Sequence, residues 1–139
     1  MVLFVGTDGD DILIGGTGND YLDGGNGSDI IDGNSGDDII SDYSGNNDIY
    51  GGLGVDFIYT GNGSDLIYTD YDFLDPLNLA GNYVDAGGGD DVIVGGFGSE
   101  ILIGGAGNDI IFGIAGDNTI DGGLGNDLVF GGVGDDIIF

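Results

Sequence analysis

The chain has 139 residues, 26 carboxylates, no Lys, Arg or His, and a formal net charge of −26 at pH 7. Such a charge repels nucleic acid and anionic lipid. The absence of Cys and His removes disulfides, thiolate sites and the commonest zinc and copper ligand, leaving oxygen, the ligand atom of hard cations such as calcium.

Thirty-four glycines and self-repulsion oppose folding, yet 40% of the residues are hydrophobic, which argues against simple disorder. The charge therefore calls for a neutralising partner that the sequence does not contain, and cations are the natural one. No apolar run approaches the length of a membrane span, so no membrane insertion is expected. The start, Met1-Val2-Leu3-Phe4-Val5, is short and lacks the basic residues of a Sec signal peptide.

Leu3-Phe4-Val5 reads as a bare opening strand. From Gly6 a nine-residue frame runs without a slip through residue 68, in seven repeats. Residues 69–76, with the sole proline, read as an inserted loop, and 77–85 as a degraded repeat. Six further repeats fill 86–139, making the chain a single repeat domain over 1–139.

The columns of the frame have plain physical meanings. Position eight is aliphatic throughout: Leu13, Leu22, Ile31, Ile40, Ile49, Ile58, Ile67, Val84, Ile93, Leu102, Ile111, Ile120, Val129 and Ile138. Position six is always a carboxylate or an amide, and position four is glycine except at Ala80. Glycine permits positive φ and close backbone approach, so the first six positions are expected to turn and the last three to form a very short strand. One inward aliphatic residue per strand makes no core alone. Stacked coil upon coil, these side chains build two facing columns with a narrow dry interior. Recurrent glycine argues against helix.

The acid at position six closes each turn. One carboxylate binds calcium weakly, but stacked turns add carbonyls and together approach the six to eight oxygens calcium prefers. Stacking would create the site, and the ion would hold the stack. Catalysis is not expected, because His, Cys and Lys are absent. In the acid pairs Asp10-Asp11, Asp37-Asp38, Asp90-Asp91 and Asp135-Asp136, the second acid is at the ligand position and the first reads as a solvated turn residue.

The copies "GGTGNDYLD", "GGNGSDIID", "GGAGNDIIF" and "GGVGDDIIF" resemble the RTX (repeats in toxin) calcium-binding nonapeptide. The resemblance implies an all-β fold, a parallel β-roll (β-solenoid) of about seven 18-residue coils, two nonapeptides to a coil. It places calcium between successive turns along each edge. The metal ligands it implies are Asp11, Asp20, Asp29, Asp38, Asn47, Asp56, Asp65, Asp91, Glu100, Asp109, Asn118, Asp127 and Asp136. It also implies type I secretion and folding outside the cell, at an extracellular or cell-surface location.

Departures from the pattern bear on occupancy. If 77–85 counts as one repeat, Asn82, Glu100, Asn118 and Asp136 share an edge, and Asp91, Asp109 and Asp127 line the other. Weaker or missing calcium is expected at the first of these edges. In the first half only Asn47 breaks its edge. Asp70, Asp72 and Asp75 in the insertion are either a solvated acidic loop or an extra ion site; neither the sixth-position glycine nor the closing Glu of an EF-hand is present.

Positions seven and nine face outward, and on one sheet they are largely apolar, as in Ile12/Ile14, Val92/Val94 and Ile110/Phe112. This suggests lateral association. Repeats that run to Phe139 without a polar cap suggest head-to-tail stacking into a filament, sheath or surface layer. The alternative is an RTX segment of a larger secreted toxin, protease, lipase or adhesin. An ice-binding face is not expected, since no ladder of Thr or Asx at turn position three survives the second half. The final Asp136-Ile137-Ile138-Phe139 resembles the terminal tail of some RTX exoproteins and equally reads as the last strand of the repeat.

Overall fold

In a computed structural model the chain is described over residues 1–70 and 78–139. The expected insertion at 69–76 and the start of the degraded repeat lie largely outside the described residues, as do Asp72 and Asp75. The fold is all-β and parallel, as the nine-residue frame implies. Among the described residues no helix is long and apolar enough to cross a membrane.

Two parallel sheets face each other. Among the described residues the first holds eight strands: β1 (Leu3–Val5), β3 (Tyr21–Asp23), β5 (Ile39–Ser41), β7 (Phe57–Tyr59), β9 (Tyr83–Asp85), β11 (Ile101–Ala106), β13 (Thr119–Leu124) and β15 (Ile137–Ile138). The second holds seven: β2 (Ile12–Ile14), β4 (Ile30–Asp32), β6 (Asp48–Tyr50), β8 (Leu66–Tyr68), β10 (Val92–Val94), β12 (Ile110–Phe112) and β14 (Leu128–Phe130). Consecutive strands alternate between sheets, so each coil contributes one strand to each face.

Register follows the frame. Leu22 pairs with Ile40 and Leu13 with Ile31, each an 18-residue step. Across the insertion the step lengthens to 26 residues in both sheets, where Ile58 meets Val84 and Ile67 meets Ile93. β9 therefore continues the column of β7, and the parity of the edges is preserved.

The core is the position-eight column. From Leu22 to Ile120 these side chains are fully buried, while Phe4, Leu13 and Val129 pack against them only partly covered. Each buried aliphatic side chain stabilises by roughly 1.5–3 kcal/mol. On the outside, aromatic residues stack from coil to coil. Tyr50 and Tyr68 lie 5.5 Å apart, and Phe112 and Phe130 lie 5.1 Å apart, with nearly parallel rings. These offset ladders partly shelter the apolar outer faces.

The turns stack too. Position-three residues bridge in parallel, as Asn26 does with Ser44 and Ser44 with Asn62. Most position-four glycines have positive φ, such as 121° at Gly27, and most position-two glycines follow them. Two non-glycine residues occupy position two in the left-handed region, Asn34 and Ile114, each with φ 70°.

Candidate metal centres between the coils

The position-six side chains fall on two edges of the roll. Asp20, Asp38, Asp56, Asn82, Glu100, Asn118 and Asp136 precede the strands of the eight-stranded sheet. Asp11, Asp29, Asn47, Asp65, Asp91, Asp109 and Asp127 precede those of the other. The substituted positions Asn82, Glu100 and Asn118 therefore cluster on one edge of the second half.

At least one oxygen of each position-six aspartate is committed to the backbone. Asp29 Oδ1 accepts the N–H of Asp11 at 2.7 Å, Asp38 Oδ1 that of Asp20 at 2.7 Å, and Asp91 Oδ1 that of Asp65 at 2.7 Å. Asp56, Asp65, Asp109, Asp127 and Asp136 accept in the same way from the coil before them. This ladder fixes each carboxylate and aims its second oxygen into the turn. In Asp29, Asp38, Asp56, Asp65, Asp91 and Asp109 that Oδ2 is buried and has no hydrogen-bond partner. Asp11 and Asp20, nearer the start, differ: Asp11 Oδ2 accepts from Thr7 N at 2.6 Å, and Asp20 Oδ2 from Gly16 N at 2.9 Å.

Four of these oxygens, those of Asp29, Asp38, Asp56 and Asp109, face a cradle lined by a glycine at position one of their turn, whereas Thr60 and Ala86 hold that position before Asp65 and Asp91. A Cβ placed on Gly51 would stand 2.6 Å from Thr69 O of the next coil and 2.8 Å from Asp56 Oδ2. One on Gly33 would stand 2.6 Å from Asp38 Oδ2, and one on Gly122 2.8 Å from Asp127 Oδ2. Position one is thus glycine because its missing side chain leaves room between a carboxylate and a carbonyl. No group of three acidic side chains converges among the described residues. A site here must be built from one or two carboxylates completed by main-chain oxygens.

Electrostatics gives the cost of leaving such a gap bare. Burial, then the charges of neighbouring acids, pushes the carboxyls of Asp56 and Asp91 up to about 7, against the N–H donated to each. Burial raises Asp38, Asp65 and Asp109 as well. Asp20 goes the other way, lowered by N–H groups of Val2 and Gly16. With no Lys, Arg or His anywhere in the chain, the buried carboxylates have no side-chain counter-charge. Anionic and carbonyl oxygens around a small cradle suit a hard divalent cation and suit neither a soft metal nor an anion.

The amides behave differently. Asn47 Oδ1 keeps its place in the ladder, accepting from Asp29 N at 2.9 Å, so its Nδ2 is what faces the turn. There it donates to Asp42 Oδ1 at 2.9 Å. Asp42 occupies a position-one site where glycine is the rule, and sequence reasoning does not single it out. Its Oδ2 is buried, unpartnered and packed with Asp29 Oδ2 against Gly24. Burial and the adjoining Asp29 carboxylate push it up to about 7. Asn118 has no such acid. Its Nδ2 donates to Ala115 O at 3.2 Å, Gly131 O at 3.3 Å and Gly116 O at 3.4 Å, engaging carbonyls of two successive coils. Glu100 is fully buried with both carboxylate oxygens unpartnered. Burial and the charge of Asp70 push it up to about 8.

No curated protein matches the chain. Four copies of the profile for the RTX calcium-binding nonapeptide repeat match residues 5–40, 42–70, 79–111 and 112–139. These matches cover most of the chain and coincide with the stacked turns and strands just described. The chain belongs to the RTX calcium-binding nonapeptide repeat family.

Proposed function

We propose that this chain is a secreted structural module whose coils are held together by calcium, and that it has no catalytic role. The observation that carries the reading is the row of buried Oδ2 atoms at Asp29, Asp38, Asp56, Asp65, Asp91 and Asp109, unpartnered in a chain without a single basic side chain. These six residues, with Asp127 and Asp136 beyond them, would hold the ions with turn carbonyls. Bound calcium supplies the positive charge that the chain lacks. Every other contribution comes from the chain: glycines open the cradle, the Oδ1 ladder orients the carboxylates, and the position-eight column sets the spacing. In calcium-poor cytoplasm the acids repel and the chain stays open, which suits export through a type I system and folding outside the cell.

The test is far-UV circular dichroism in chelator and then in rising calcium. A disordered spectrum that converts cooperatively to β at millimolar calcium supports the reading. A folded chain in chelator overturns it.

A filament is the assembly we favour for this module. Apolar outer-face side chains are exposed along the roll, among them Ile14, Ile30, Ile39, Phe57, Ile101 and Phe130. A second copy stacked head to tail would continue both sheets in register. Light scattering and electron microscopy of the calcium-loaded chain distinguish elongated particles from a persistent monomer. The latter leaves the calcium reading standing and points to a segment of a larger secreted protein.

A further inference from the structure

Asp70 lies outside the nine-residue frame, at the entry to the insertion, yet it is 5% exposed. Its Oδ1 accepts from Asn78 Nδ2 at 2.8 Å and from Asn82 Nδ2 at 3.4 Å. Its Oδ2 is buried without a partner and is packed against Gly96. The same turn carries Glu100, 1% exposed, with Oε1 and Oε2 both unpartnered. A Cβ on Gly98 would stand 3.0 Å from Oε1, and one on Gly95 would stand 3.2 Å from Oε2 and 2.9 Å from Gly113 O. Three carboxylate oxygens from two side chains are therefore sealed around the turn at 95–98, beside carbonyl oxygen and with no counter-charge; the backbone N–H groups of Gly96, Phe97 and Gly98 offset only part of their burial.

The arrangement repeats that at Asn47. In both places a position-six amide spends its Oδ1 on the ladder, Asn82 accepting from Asp56 N at 2.8 Å, and turns its Nδ2 onto an Asp from the entering turn. In both, the second oxygen of that Asp is left buried and unpartnered. Asn118, with no acid within reach, turns instead onto carbonyls. Asp70 thus restores an anionic oxygen where the repeat pattern has lost one, and Asn78 and Asn82 hold it in place.

We propose that Asp70, which the nonapeptide pattern does not specify, joins the position-six Glu100 in binding a divalent cation, calcium foremost. This rests on the calcium reading of the inter-coil gaps. Asp70 comes from outside the repeat, so the site ties the entry of the insertion to the coil that follows it.

The test counts ions on the full chain by native mass spectrometry in calcium, with the β signal as the check on folding. Asp70→Asn keeps the oxygen that accepts from Asn78 and Asn82 and replaces the buried Oδ2 by an amide nitrogen, which carries no charge and cannot ligate a cation. It and Glu100→Gln are each expected to lose one ion relative to the parent and to the exposed control Asp48→Asn. An unchanged count in folded Asp70→Asn overturns the proposal and leaves a shared proton between the two acids. Crystals of the calcium-loaded parent read the same point without a variant. An anomalous peak about 2.3–2.6 Å from oxygens of both residues supports it, and featureless density between them overturns it. A parent that binds no calcium at all sinks the underlying reading instead, a different outcome from a parent that binds several ions and loses none on Asp70→Asn.

Discussion

Asn47 donates its side-chain amide to Asp42 Oδ1 at 2.9 Å, so an acid in the glycine column answers an amide in the acid column five residues later in the same turn. The two departures are coupled through that bond. Without Asp42 the Asn47 Nδ2 keeps only a 3.4 Å contact to Gly45 O, and an under-satisfied buried amide costs about 1–3 kcal/mol. Asp42→Gly, which looks like a return to the repeat consensus, should therefore destabilise the calcium-loaded fold by about that amount. Asp42→Gly combined with Asn47→Asp should recover it, because the ordinary carboxylate turn is then complete. Denaturant melts of the two variants in calcium decide the matter, and equal stabilities would remove the coupling.

Asn118 provides the reverse experiment. Its amide already donates to carbonyls of two successive coils, placing a neutral donor among the oxygens that elsewhere face a cradle. Asn118→Asp exchanges those donors for charge. In chelator the variant should be the less stable one, by about 1–3 kcal/mol for an unpaired buried carboxylate. In calcium it should gain one bound ion and match or exceed the parent. A variant weaker than the parent in both conditions would mean that this gap cannot admit an ion.

Much of this architecture can be read from the one-dimensional pattern. A nine-residue frame with one aliphatic and one acid per period leaves few ways to bury the former and satisfy the latter. Strand positions and the core column follow from counting, and the parity across the insertion follows only once 77–85 is taken as one repeat. The role of Asp42 is illegible there for a physical reason: its meaning lies in contacts with Asn47 in its own turn and with Asp29 one coil away, and a column-by-column reading registers only a missing glycine. Asp70 is visible as an acid in an insertion, but nothing in the sequence says that it is buried against Gly96. The extension of β11 and β13 to six residues is likewise a three-dimensional property, since their turns zip together through Gly105 with Gly123 and Ala106 with Leu124.

Proton and metal should compete for these carboxylates. In the ion-free fold Asp56 and Asp91 have carboxyls near 7 instead of the ordinary 3.8, so the folded chain binds protons that the unfolded chain releases. Stability in chelator must then fall as pH rises from about 4 to about 7, and it is fully present only below that window. Acidifying the chelated chain from pH 8 to pH 4 should thus restore part of the β signal. In saturating calcium the acids are already neutralised, and the signal should stay nearly flat over the same range. A chelated chain equally disordered at both pH values would show that burial of these acids does not oppose folding.

The glycines separate into those that open a cradle and those that do not. A Cβ placed on Gly18 would meet nothing within 4 Å, whereas one on Gly51 meets Thr69 O and Asp56 Oδ2 at once. Gly18→Ala should leave calcium binding and melting temperature close to the parent. Gly51→Ala should cost about 1–3 kcal/mol as the coils are forced apart and should weaken the ion held by Asp56. Similar calcium titrations for the two variants would contradict the role given to the cradle.

Ile114 offers a change in the stabilising direction. It holds φ 70° at a position where Gly25, Gly52 and Gly132 take the same left-handed region freely, and a β-branched residue is poorly suited to it. The left-handed conformation costs an L-residue about 1–2 kcal/mol, and glycine escapes that penalty while losing some entropy and the partial burial of the isoleucine. The backbone term is the larger, so Ile114→Gly should raise the stability of the calcium-loaded fold, by about 1 kcal/mol at most. Asn34 shares the same φ, but asparagine tolerates the region well, so Asn34→Gly should shift the melt by less. Thermal melts of the pair in calcium test the ordering, and a destabilised Ile114→Gly would mean that its side chain contributes more to packing between the coils than its backbone loses in strain.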